Sequence, residues 1–173
     1  DTGTLTLKDA TTLTLNATGA IGATSAILTA ATVIDVDGSA INVSNTGAVT
    51  DLQLNSAGAV TFANTGDVNT GAAITGSSVS LDASGDLTID QTITSAGLVS
   101  LRADDMAITS AVTGGNINIQ TADTNAINLG PTGTAATTLT LSEAELQLLS
   151  TAGTVTIGKD VDHTGGINIG ADI

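Results

Sequence analysis

The stretch GLVSLRADDMAITSAVTGGNINI, residues 97–119, holds three short bursts, GLVSL, MAIT and GNINI, in which aliphatic and small residues alternate. Successive side chains of a strand point to opposite faces, so in each burst the aliphatic pair faces one way and the residue between them the other. Gly, Asp and Ser separate the bursts, and strands this short are not stable alone. Their neighbours in the chain supply the partners. GAVTF (58–62), SSVSL (77–81), GLVSL (97–101) and GNINI (115–119) recur at steps of 19, 20 and 18 residues. A second series, GDLTI (85–89), MAIT (106–109) and AINL (126–129), follows the first by about 8 to 10 residues.

A period near 20 residues is the mark of a solenoid. If each repeat makes one coil, equivalent strands stack in parallel at about 4.8 Å, the aliphatic pairs pile into an inner column, and the polar residues between them line the outside. Those outward positions are Thr6, Thr14, Gln53, Thr61, Ser80, Thr88, Ser100, Asn118, Thr140 and Thr156. The pattern predicts an all-β, right-handed parallel β-helix of about nine coils of 18–20 residues, a single segment over 1–173. A β-sandwich is the alternative fold, but it favours longer strands, hairpin turns and bulky core residues. Gly58, Gly66, Gly76, Gly85, Gly97 and Gly115 fall at the bends between strands, where positive φ costs Gly alone little.

Composition agrees with a thin, regular core. Phe62 is the sole aromatic residue, there is no Cys, and 41% of residues are hydrophobic, so layers of Val, Ile, Leu and Ala must do the packing. Only 12% of residues are charged, which argues against disorder. No apolar run approaches the roughly 20 residues of a membrane-spanning helix, so no membrane insertion is expected. Seventeen acidic residues against Lys8, Arg102 and Lys159 give a net charge of −14, which disfavours nucleic acid and anionic lipid as partners and keeps a strand-rich surface soluble. Without Cys, disulfides, thiolate metal sites and thiol nucleophiles are excluded. The chain starts and stops in mid-pattern, at TGTLTL and GGINIGADI, and uncapped coil ends invite pairing with another chain. The expectation is an internal part of a longer rod, or a subunit stacking end to end with copies of itself.

One island departs from the strand pattern. SEAELQLLSTAG (142–153) contains Glu143 and Glu145, the only glutamates of the chain. Ser142 with Glu145 three positions on has the spacing of a capping box, Leu146, Leu148 and Leu149 offer an apolar side, and Gly153 is placed to end the element. One or two helical turns near 143–149 are expected, with the leucines against the edge of a coil. The competing reading makes LQL a strand.

GDLTIDQTITSAGLVSL (85–101) and above all TLTLSEAELQLLSTAGTVTIG (138–158) resemble the repeat regions of filamentous-haemagglutinin-like exoproteins, large adhesins of bacterial two-partner secretion. In that family a Leu-Ser-x-x-Glu-Leu segment commonly precedes a Val-x-Ile-Gly strand. The resemblance covers most of the chain in style and is most specific over 138–158. It implies a secreted, cell-surface β-helical repeat region. The Asn-Pro-Asn-Leu motif of the family's secretion domain is missing, since Pro131 is the only proline, which places that domain outside this chain.

Chemistry has few residues to work with. His163 is the only histidine and lies in the loop-like DVDHTGG beside Asp160 and Asp162. Polysaccharide-cleaving β-helices use clustered carboxylates with Arg or Lys and aromatic platforms for sugar rings; three scattered basic residues and one Phe do not match, so no enzyme, no catalytic residue and no cofactor are expected. Weak calcium candidates are Asp35 and Asp37 in VIDVDG, Asp104 and Asp105 in RADDM, and Asp160 and Asp162 in KDVDH, because hard carboxylate oxygens suit that ion. The plain alternative is that these residues face water. Mixed Thr, Ser, Asn and Gln on the outer faces spoil the uniform lattice an ice-binding surface needs. The functional expectation is a non-catalytic structural rod of a bacterial surface adhesin or extracellular filament, with a host or surface receptor as partner. A carbohydrate-active or ligand-binding β-helix is the alternative.

Overall fold

The computed structural model describes residues 6–7, 11–124, 126–130, 138–158 and 166–170. Asp160, Asp162 and His163 therefore lie outside the described residues, as do Lys8, Lys159 and Pro131. The chain is a parallel β-solenoid of about six turns with one short helix. Its first coils have two faces: β1 (Thr6–Leu7) leads to β2 (Thr12–Asn16), β3 (Ile27–Thr29) to β4 (Val33–Gly38), and β5 (Ile41–Thr46) to β6 (Val49–Ser56). The next coils have three: β7 (Ala59–Thr65) with β8 (Val68–Thr70) and β9 (Ile74–Gly76), β10 (Ser78–Ala83) with β11 (Leu87–Ile89) and β12 (Ile93–Ser95), and β13 (Leu98–Ala103) with β14 (Met106–Ile108) and β15 (Val112–Gly114). The remaining elements are β16 (Asn116–Thr121), β17 (Ile127–Leu129), β18 (Leu139–Leu141), α1 (Glu143–Leu146), β19 (Leu149–Thr151), β20 (Val155–Ile157) and β21 (Ile167–Ile169).

One face is the sheet β1-β3-β5-β7-β10-β13-β16-β20, paired in parallel throughout. Val60, Val79, Val99 and Ile117 are register partners in sequence, so the steps of 19, 20 and 18 residues are coil lengths. The opposite sheet begins as the single strands β2, β4 and β6. Above β6 it divides: Val49 lies under Val68 of β8 while Asn55 lies under Thr75 of β9, with a register shift between. The chain turns there at 71–73, where the N–H groups of Gly71 and Ala72 both donate to the Leu52 carbonyl (3.0 and 3.4 Å). Small residues allow this close bend, and it makes the third face.

Alternation builds the core as the sequence implies. Val43, Phe62, Leu81, Leu101 and Ile119 are stacked register partners, each at most 1% exposed. Outside, Thr61, Ser80, Ser100, Asn118 and Thr156 form a matching polar column. The inner positions at one corner are polar too. Asn45 and Asn64 are buried partners, with Asn45 Nδ2 donating to Asn64 Oδ1 (2.9 Å) and Asn64 Nδ2 donating to the Gly66 and Asp67 carbonyls (2.9 and 3.1 Å). These bonds satisfy carbonyls of the turn that the strand ladders do not reach.

Two expectations are corrected in detail. The turns number about six, where nine were expected. One reason is that Ile117 pairs with Val155, so a single coil consumes 38 residues, two periods of sequence. The other concerns glycine: of the six named at bends, only Gly66 has a positive φ (138°). Gly97 is required by close approach instead, because a Cβ there would stand 2.6 Å from the Ser77 carbonyl oxygen of the coil beneath.

The 38-residue coil contains the helical island. α1 has Ser142 as N-cap with a complete capping box to Glu145, and Leu146, Leu148 and Leu149 pack partly buried against the core. The helix ends at Leu146, and Leu149 already belongs to β19, so Gly153 follows a strand instead of closing the helix. The AINL window, expected to sit on MAIT, does not. β18 lies against β14, and β17 pairs with β18 and with β21 as a small separate sheet.

Candidate functional site

The densest group of ionisable side chains lies at the corner where the long strands β7, β10 and β13 hand over to β8, β11 and β14. Asp67, Asp86 and Asp105 occupy the same place in successive coils, 19 residues apart. Asp67 Oδ1 accepts the N–H of Asp86 (3.1 Å), and Asp105 Oδ1 accepts the N–H of Met106 (2.9 Å) and of Thr140 (3.0 Å). Each of these carboxylates serves the backbone of the turn, as Asp commonly does in loops. Asp104 and Asp123 form a second stacked pair beside them.

Stacking like charges has an electrostatic cost. The carboxyl of Asp86 is held above the usual aspartate value by desolvation, then by the charges of Asp67 and Asp105. That of Asp104 is raised by desolvation, then by its hydrogen bond with Asp123 and the charges of Asp123, Asp86 and Asp105. The corner therefore holds protons more readily than isolated aspartates do. The nearest cation is engaged: Arg102 Nη1 donates to both oxygens of Asp82 (3.0 and 3.2 Å), and Nη2 to the Ala122 carbonyl (2.6 Å). As a half-exposed pair it contributes little to stability.

Among the calcium candidates, Asp104 and Asp105 belong to this corner, while Asp35 and Asp37 lie on β4, their partners being Thr14 and Gln53 for Asp35, and Asn16 and Asn55 for Asp37. The structure does not bring the two pairs together. Among the described residues no group of three or more His, Asp or Glu side chains is arranged to hold a metal ion. Asp37 also lines an open groove of about 560 Å³ with Ala17, Thr18, Ser39, Asn55 and Ser56. That groove offers hydroxyl and amide groups, one carboxylate and no basic side chain. Asp67, Asp86 and Asp123 escaped the sequence reading. The signal was the repeat itself, since an Asp recurs 19 residues from Asp105 and from Asp104.

Fold and surface together define the class, a parallel β-solenoid repeat protein. No family model matches the chain, and no match is found among curated proteins or among solved structures.

Proposed function

We propose that this chain is a non-catalytic structural rod from a secreted bacterial surface adhesin or extracellular filament, of the filamentous-haemagglutinin-like kind. The observation that carries the reading is the uninterrupted inner column from Val43 to Ile119, flanked by outer faces of short polar side chains. Each coil of the column binds the next by a ladder of backbone bonds and a layer of aliphatic contacts, which is the construction of a spacer. Its role is mechanical, holding a receptor-binding tip away from the cell or extending a fibre through copies end to end. The groove at Asp37 supports a carbohydrate-binding role less well, because it lacks the basic and aromatic groups that hold sugars. Electron microscopy of the purified protein tests the reading. Thin rods or continuous fibres are expected, and round compact particles would overturn it.

A further inference from the structure

The edge of β14 is closed in an unusual way. In earlier coils the N–H that begins this strand donates to a backbone carbonyl of the coil above: Val68 to Asp86 (2.8 Å) and Leu87 to Asp105 (2.9 Å). At Met106 that series stops. Among the described residues no strand pairing joins β14 to β18, although the two lie in contact. Side-chain carboxylates stand where carbonyls stood below. Asp105 Oδ1 takes the Met106 and Thr140 N–H groups (2.9 and 3.0 Å), one from each side of the seam. Glu145 Oε1 takes the Ile108 N–H (3.0 Å), while its Oε2 takes the N–H and the hydroxyl of Ser142 (2.8 and 2.7 Å).

We infer that β18 and α1 form a flap over the edge of β14, latched by the carboxylates of Glu145 and Asp105, and that the flap opens as a unit while the coils below stay closed. Glu145 joins the two sides, because one oxygen closes the helix cap and the other holds the strand edge. Where a ladder spreads cohesion over many backbone bonds, this seam concentrates it in two side chains and the half-buried leucines Leu146 and Leu148. Opening bares the donors of β14, the kind of unpaired edge that templates strand addition. The latched flap guards that edge.

Amide hydrogen exchange on the full chain reads the device directly. In the wild type, the Ile108 and Thr140 amides are expected to exchange together and faster than the Val79 and Val99 amides of the long-strand sheet. Glu145→Gln leaves one acceptor oxygen and turns an NH₂ toward donors, so it should speed exchange at Ile108 and Thr140 by about tenfold or more, with Val79 and Val99 unchanged. Glu143→Gln, whose side chain bonds Gln147 (2.9 Å) on the exposed helix face, should leave all four unchanged. Wild-type exchange at Ile108 and Thr140 as slow as at Val79 and Val99 would overturn the inference. So would unchanged exchange at the seam in Glu145→Gln, or loss of protection at all four amides together.

Discussion

At the scale of single residues, glycine decides how closely the coils approach. Gly97 donates its N–H to the Ser77 carbonyl at 2.9 Å, and the same oxygen would stand 2.6 Å from an added Cβ. Gly19 has nothing within 4 Å of the equivalent position and no positive φ. Gly97→Ala should therefore destabilise the protein by about 1–3 kcal/mol, as overpacking does. Gly19→Ala should leave stability unchanged or raise it by about 0.4–1 kcal/mol through the unfolded chain. Denaturant titration of the two variants checks the contrast, and equal effects would refute it. The sequence marks both positions as turn glycines and cannot separate them, because the oxygen that matters belongs to a residue 20 positions away.

At the scale of elements, strands of three to six residues acquire stability from their neighbours. Leu101 sits in β13 between Leu81 and Ile119 and is fully buried. Leu101→Ala removes a layer from that column and should cost about 2–5 kcal/mol, read as a lowered melting temperature. A change under about 0.5 kcal/mol would show that the column closes over the cavity. The alternation of VSL and INI makes these inner positions legible in the sequence. The capping box of α1 is legible for the same reason, since Ser142 and Glu145 are local. The partner of Glu145 across the seam is not, because Ile108 is 37 residues earlier and β17 intervenes out of the expected order.

At the scale of the whole molecule, charge is the main variable. With a net charge of −14, the acidic corner adds repulsion to a chain that already repels itself. Asp86 and Asp104 have folded values raised above the unfolded aspartate value of about 3.9, so the folded state binds more protons between the two. Their contribution to stability is complete below the unfolded value and is lost as pH rises through the folded one. At low salt, the melting temperature should gain from this corner as pH falls from 7 toward 5, and Asp86→Asn should weaken that gain while stabilising the protein at pH 7. Both groups are well solvated, so the effect is small and fades with added salt. An identical pH dependence in Asp86→Asn and wild type would refute the assignment.

The solenoid, its coil length, the inner and outer face of each strand and the capped helix are all written in the chain. They rest on local alternation and on a period that repeats along it, and neither needs a distant contact to be read. The number of turns, the change from two faces to three above β6, the aspartate corner and the carboxylate-closed seam at β14 arise only on folding. Those depend on which coil lies over which. A 38-residue coil carries the same local pattern as two coils of 19, and stacking alone tells them apart.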